Sequence, residues 1–227
     1  MFMKRITVLL AEDHQIVREG FRSLLKHEHD IEVVGEAETG RQAVQLTRKL
    51  RPEVVVMDIA MPLLNGFEAT RQIRKDFPDT KVLVLSAHSD DAYVQQVTEL
   101  GAAGFLLKHT SSHNLATAIR EVQRGNTFYS PAISKRLQGS DQKRRHQEGN
   151  FKKKNNRLSP REVEVLQLIA EGKPNKQVAA VLGVSFKTID KHRQHLMAKL
   201  NIHDIAGLTR YAIAQGIIEN SVQVTFV

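Results

Sequence analysis

Five residues in the first half of the chain carry groups that can act together on a cation and an anion. Glu12 and Asp13 follow the apolar run Ile6–Leu10, and Asp58 follows Val54–Met57. Ser86 follows Val82–Leu85, and Lys108 follows Gly104–Leu107. Each ends a stretch that reads as a strand, and in an open parallel sheet ligands bind outside the carboxyl ends of the strands. If the first and third strands are neighbours, Glu12, Asp13 and Asp58 converge. Packed carboxylates repel one another unless a cation sits between them. Mg²⁺, surrounded by carboxylates, a carbonyl and waters, suits such a set. Taken singly, each is an ordinary loop residue, and Asp58 alone reads as a turn former.

Regular elements must hold these groups in place. The stretch from Glu53 to Gly66 runs through Val54-Val55-Val56-Met57 to Asp58 and then turns through Pro62 and Asn65-Gly66. Such an unbroken apolar run belongs to a strand buried on both faces of a parallel sheet. Further strands are expected at Ile6–Leu10, Ile31–Val34, Val82–Leu85 and Gly104–Leu107. Helices alternate with them. One carries Ile16, Gly20, Phe21, Leu24 and Leu25 on its inner stripe, and Gly40–Leu50 turns Ala43, Val44, Leu46 and Leu50 inward. Phe67–Lys75 is the third. The fourth starts at Asp90 or Asp91 and runs through Val94, Val97 and Leu100. The fifth, capped by Ser112, faces Leu115, Ala118, Ile119 and Val122 inward. Five strands alternating with five helices make a doubly wound α/β domain, (βα)5, although periodicity leaves the strand order open.

The 227 residues divide into an α/β domain at 1–131, a linker at 132–157 and a helical domain at 158–227. Lys and Arg against Asp and Glu number 16 to 17 in the first part, 9 to 2 in the linker and 8 to 6 in the last. The positive excess therefore lies away from the α/β domain, which points to a polyanion partner for the C-terminal part. A solvated tether has the same composition as residues 132–157. With no cysteine, disulfide frameworks and thiolate metal sites are excluded. No signal-peptide pattern and no long apolar run is present, so a soluble, cytoplasmic protein without a membrane span is expected.

From Leu158 the pattern is helical, with a strand candidate only at Val222–Val227. Ser159-Pro160-Arg161-Glu162 is a helix start, with Ser at the N-cap, Pro in the first turn and an acid close behind. That helix turns Val163, Leu166, Ile169 and Ala170 inward and stops at Gly172. A short helix spans about Asn175 to Leu182. After Gly183-Val184-Ser185 comes Phe186–Leu200, and a last helix runs from about Asp204 to Gln215. On Phe186–Leu200, Ile189, Leu196 and Leu200 share the inner face. Lys187, Lys191 and Gln194 lie opposite, flanked by Thr188, Asp190 and His195. Standing alone, such a face reads as an ordinary solvated one, but its placement after Asn175–Leu182 and a short glycine-containing turn fits a recognition helix in the major groove of double-stranded DNA, with Asn175 and Lys176 as phosphate contacts. Asp190 reads as an acceptor for a cytosine amino group or as an orienter of Lys191. His192 and Arg193 border the core stripe and are expected to pack or touch the backbone. His192 and His195 stand three apart, but without a carboxylate at ligand spacing a metal site there is disfavoured. Ile205, Leu208, Ala212 and Ile213 are expected to serve a two-fold dimer.

These residues carry a resemblance. Glu12-Asp13, Asp58, Met61-Pro62, Gly66, Ser86-Ala87 and Gly101 through Lys108 resemble the receiver domain of bacterial two-component response regulators. Leu158 through Gly172, with Asn175-Lys176 and Ser185, Lys187, Thr188 and Ile189, resembles the LuxR-type helix-turn-helix. Together they are similar to the NarL/FixJ class of response regulators.

The resemblance implies that Asp58 takes a phosphoryl group from a phosphohistidine of a cognate sensor histidine kinase. It implies Mg²⁺ held by Glu12 and Asp13, directly or through water, with Asp58 and the carbonyl of Ala60. Lys108 and Ser86 contact the phosphoryl oxygens, and Phe105 turns in behind Ser86 as the switch. Phe105 lacks the hydroxyl of the tyrosine common there, and core packing is its other reading. Ala60 and His88 stand where the family tunes the lifetime of the acyl phosphate. His109 follows the lysine where receivers often have proline. Phosphorylation is expected to shift a pre-existing equilibrium, either freeing the recognition helix or promoting homodimers, and so to change promoter binding, with RNA polymerase a further partner. The receiver takes part in its own phosphotransfer and dephosphorylation without being a classical enzyme. A haloacid dehalogenase-type phosphatase also uses a strand-end aspartate, but needs a second acid two residues on, where Ala60 stands. The remaining alternative is a constitutive DNA-binding regulator whose receiver acts only as a protein-interaction module.

Overall fold

The computed structural model describes residues 4–87, 96–108, 112–129 and 158–218. His88, His109 with its preceding peptide bond, the helix start at Asp90 or Asp91, the linker 132–157 and the strand candidate Val222–Val227 lie outside the described residues. Two compact units divide the chain on either side of residue 153.

The first unit is a parallel sheet with helices on both faces. Its strands are β1 (Ile6–Ala11), β2 (Ile31–Ala37), β3 (Val54–Asp58), β4 (Lys81–Ser86), β5 (Gly104–Leu107) and β6 (Phe128–Tyr129). Its helices are α1 (Gln15–Lys26), α2 (Gly40–Leu50), α3 (Gly66–Asp76) and α4 (Ser112–Gln123), and residues 96–99 are also helical. The strand order is β2-β1-β3-β4-β5-β6, so β1 and β3 are neighbours. The two-residue β6 was not expected. It pairs with β5 through Gly104–Phe128 and Phe105–Tyr129, and so short a strand carries no periodic signal.

Alternate residues of each strand face opposite ways, which makes two cores. Leu9, Val55, Met57, Val84, Phe105 and Leu107 pack with Ala43 of α2 and Ala69 and Ile73 of α3. Val8, Leu10, Val54, Val56, Leu83, Leu85 and Leu106 pack with Leu25 of α1 and Leu115, Ala118, Ile119 and Val122 of α4. Burial on both faces explains why the strands read as unbroken apolar runs. Helix α1 departs from its expected stripe. Ile16 is 86% exposed and Gly20 and Leu24 face solvent, whereas Leu25 and the charged Arg18 are buried. Arg18 is taken inward by ionic partners at the end of β2 and just beyond it, which helical periodicity does not reveal.

The second unit is α-helical: α5 (Pro160–Ala170), α6 (Asn175–Leu182), α7 (Phe186–Leu200) and α8 (Ile205–Ala214). Ser159 caps α5 in a full capping box, its hydroxyl accepting from the Glu162 N–H while the Glu162 carboxylate accepts from the Ser159 N–H at 2.7 Å. Burial pushes the Glu162 carboxyl up, but that N–H and Lys199 Nζ at 2.9 Å outweigh it and hold its pKa below the ordinary value. α5 is the centre of the unit. Val165, Leu166, Leu168 and Ile169 are buried with Glu164 and Gln167, while Val163 and Ala170 of the expected stripe are only half-buried. Gly183 ends α6 with φ +64°, a left-handed turn that suits glycine and redirects the chain into α7. Ser185 then caps α7 by accepting from the Thr188 N–H at 3.1 Å.

Candidate functional site

Strand register assembles the acidic edge. Ala11 pairs with Met57, so Glu12, one residue further, comes level with Asp58. Asp58 pairs with Leu85 and Ser86 with Leu107, which brings the hydroxyl of Ser86 and the start of the Lys108 side chain to the same edge. The loop after β3 is folded tightly against it. A Cβ on Gly66 would lie 1.9 Å from the Asp58 carbonyl oxygen, so only glycine permits this approach. The Gly66 N–H donates to the Ile59 carbonyl at 2.8 Å, and Asn65 caps α3 through the Glu68 N–H.

Within this edge Glu12 and Asp58 are each only 1% exposed. Lys108 Nζ lies 2.9 Å from Glu12 Oε2 and 3.0 Å from Asp58 Oδ2. It donates a well-directed hydrogen bond to Glu12 Oε1 at 3.1 Å. The Ile59 N–H donates to Asp58 Oδ1 at 2.8 Å. Burial and then the charge of Glu12 push the Asp58 carboxyl up to about 7, against the pull of Lys108. Burial opposes the Lys108 ammonium, but Asp58 and Glu12 outweigh it and raise its pKa.

Among the described residues, Glu12 Oε2, Asp13 Oδ1 and Asp58 Oδ2 are buried oxygens without a directed hydrogen bond. Ion-pair proximity to one lysine does not satisfy two carboxylates, and buried acceptors left unmet are costly. Glu12, Asp13, His14 and Asp58 each place a donor atom within 4.8 Å of the others. Crowded, under-satisfied carboxylate oxygens fit a hard divalent cation such as Mg²⁺. His14 is the member that sequence reasoning passed over. Its Nδ1 lies 3.0 Å from both Glu12 Oε1 and Asp13 Oδ1, and its adjacency to the acid pair was the available signal. The Glu12 hydrogen bond, against burial, raises its pKa.

The remaining first-unit candidates fall around this cluster. Ser86 is buried at the end of β4, and Phe105 is fully buried in the sheet core. Ala60 is half-buried in the loop after β3.

In the second unit, Lys187, Lys191, Gln194 and His195 are exposed along α7, with Thr188 and Asp190 half-buried beside them. Asp190 Oδ2 accepts from Gln194 Nε2 at 3.1 Å, so its partner within the chain is Gln194 rather than Lys191. On the inner side Ile189 and Leu196 are buried and Leu200 is half-buried. At the start of α6 Lys176 is exposed, while Asn175 Oδ1 accepts from Arg193 Nη1 at 3.1 Å and braces α6 against α7. On α8, Leu208 and Ala212 are buried inside the unit, leaving Ile205 exposed and Ile213 half-buried. Two of the four apolar residues expected at a dimer interface are therefore spent on the unit's own core.

A doubly wound parallel sheet with an acidic carboxyl edge, followed by a helix-turn-helix unit, defines a regulator with separate input and output parts. Residues 8–120 match the family described as response regulator receiver domain, and residues 156–212 match the bacterial regulatory proteins of the luxR family. The chain is 37% identical over 211 residues to the transcriptional regulatory protein DegU of Brevibacillus brevis, covering 88% of this chain and 89% of that one. It is 37% identical over 214 residues to the oxygen regulatory protein NreC of Staphylococcus carnosus (strain TM300), covering 93% and 99%. The solved complex of the two-component response regulator RcsB with DNA is similar at a TM-score of 0.57 and 30% identity, covering 92% of this chain and 98% of that one. The chain belongs to the two-component response regulators that pair a receiver domain with a LuxR-type DNA-binding domain, and is a transcription regulator of that kind.

Proposed function

We propose that Asp58 is the phosphoacceptor through which a sensor histidine kinase controls promoter binding by the second unit. The observation that carries this reading is the Asp58 carboxylate, buried yet under-satisfied, 3.0 Å from Lys108 and among the acids of β1. An Asp58 oxygen forms the bond to phosphorus as the bond to the donor imidazole nitrogen breaks, and the departing imidazole keeps the electron pair and takes up a proton. Lys108, already beside Asp58, receives a phosphoryl oxygen, and Ser86 hydrogen-bonds another. Glu12, Asp13, Asp58 and the Ala60 carbonyl would hold Mg²⁺, which would offset charge on the phosphoryl oxygens. Phe105, fully buried in the sheet core, responds to movement of Ser86, while Ala60 and His88 set the lifetime of the acyl phosphate. The protein turns over its own phosphoryl group and is not an enzyme in the ordinary sense.

On the output side, Lys187, Thr188, Asp190, Lys191, Gln194 and His195 read DNA from α7 while Asn175 and Lys176 position α6 on the backbone. Residues 132–157 act as a basic tether between domain 1–131 and domain 158–227. Phosphorylation shifts a pre-existing equilibrium towards a homodimer that binds promoter DNA and meets RNA polymerase, all in the cytoplasm.

Incubation with labelled acetyl phosphate or phosphoramidate and Mg²⁺ tests this reading. The expected result is one labelled site, lost in Asp58→Asn, with DNA footprints strengthened by beryllofluoride. Footprints indifferent to beryllofluoride on an unlabelled protein would instead mark a constitutive regulator whose receiver only binds other proteins.

A further inference from the structure

Arg18 is a charged residue where α1 should face solvent, yet it is only 7% exposed. A buried guanidinium is costly unless acceptors meet it. Here three do. Arg18 Nη1 donates to the main-chain carbonyl of Glu12 at 2.7 Å, Nε to Glu36 Oε2 at 3.2 Å and Nη2 to Glu38 Oε1 at 2.8 Å. Glu36 belongs to β2 and Glu38 follows it, and Arg22 Nη1 steadies Glu36 from a second side at 3.1 Å. The guanidinium thus ties the turn between β1 and α1 to the end of β2.

The Glu12 carbonyl belongs to the peptide unit that joins Glu12 to Asp13. Rotation of that unit would swing the two carboxylates relative to each other and to Asp58. We propose that Arg18 is a positioning residue for the cation site: by pinning this peptide it aims Glu12 and Asp13 at Asp58 and sets the affinity for Mg²⁺. This rests on the reading of the acidic edge as a Mg²⁺ site. Partners behind a metal site that fix its ligands typically change affinity about 10- to 100-fold when removed. Lysine is not an equivalent, because an ammonium on a flexible stem cannot present the planar fork that meets a carbonyl and two carboxylates together.

Titration calorimetry of the full chain with Mg²⁺ alone tests the clamp on wild type, Arg18→Met, Arg18→Lys and Glu38→Gln. The expected loss of affinity is about tenfold or more for Arg18→Met, less for Arg18→Lys and about two- to threefold for Glu38→Gln. Acetyl phosphate labelling supplies a second readout. The Mg²⁺ concentration for half-maximal rate rises in the same order, while the rate at saturating Mg²⁺ stays within about threefold of wild type. A melting curve in chelator reports stability separately, and if Arg18→Met does not fold, Arg18→Lys and Glu38→Gln carry the comparison. Unchanged Mg²⁺ affinity in folded variants, with only a lower melting temperature, overturns the positioning role and leaves the cation site standing. A wild-type protein that binds no Mg²⁺ overturns both.

Discussion

At the carboxyl edge of the sheet the charged groups are buried and crowded, while on the outer face of α7 they are exposed and spaced by the turns of a helix. Both meet phosphate in the proposed function, yet their electrostatics differ in kind. Asp58 is surrounded by protein on nearly every side, so burial and Glu12 shift its ionisation to about 7. Lys187 and Lys191 stand in water, which screens their charges and leaves them available to a partner, with His195 exposed beside them. A site for covalent chemistry needs fixed donors and a dry setting. A surface that reads a duplex needs reach, and its strength comes from the partner's own charge.

The largest expected effect breaks the buried side of this contrast. Gly66→Ala puts a methyl group into the Asp58 carbonyl, and should lower stability by roughly 3 kcal/mol or more or displace the loop after β3. Urea unfolding measures it, and a near-neutral result would show that the loop yields easily. Next comes Asp58→Asn in metal-free buffer. The folded carboxyl titrates near 7, above its ordinary value of 3.8, so its ionisation penalises the folded state as pH rises through that window. The asparagine variant should match wild type near pH 4 and exceed it above pH 7 by on the order of a few kcal/mol, with Mg²⁺ narrowing the gap. Melting curves across pH 4–8 give the answer, and a pH-independent difference would show that ionisation of Asp58 does not penalise the fold.

On the exposed side, Lys191→Ala and Gln194→Ala should leave unfolding unchanged while weakening promoter binding by about 1–3 kcal/mol each. Fluorescence anisotropy at fixed salt reads this, and a parallel loss of stability would show that α7 is less independent of its outer face than its burial pattern implies. The smallest effect concerns a pair outside both sites. Arg120 Nε donates to Asp30 Oδ2 at 2.7 Å, and this holds the Asp30 carboxyl below its ordinary value. Its contribution is therefore present above about pH 4 and lost as pH falls through the lowered value. Because the pair is partly open to water, Asp30→Asn should cost under about 1 kcal/mol at pH 7, and progressively less as pH falls through the acid range, read from melting curves.

Legibility of the sequence followed the range of the interactions. Val54–Met57 and Gly104–Leu107 read as buried strands because every residue in them is apolar, and both are strands. The Ser159 cap was legible because Glu162 stands three residues away and both partners are local. The inner stripe of α1 departs from its periodicity because Arg18 is paired with Glu36 of β2 and Glu38 just beyond it, leaving Ile16 outside. Leu208 and Ala212 were assigned to a partner chain when they serve α5 of their own unit, since an apolar stripe does not say what covers it.

Taken alone, the order of residues determined which groups end strands, which segments are helical and that two dissimilar folding units share the chain. These are properties of short windows, set by side-chain shape, periodicity and capping. Only the tertiary structure decided that β1 lies beside β3 and brings Glu12 level with Asp58. It also decided that a guanidinium grips the peptide between the two acids and that Gln194 holds Asp190. The reason is physical: strand order, register and the partners of buried charges depend on residues far apart in the chain, and their energies exist only once the fold has brought them together.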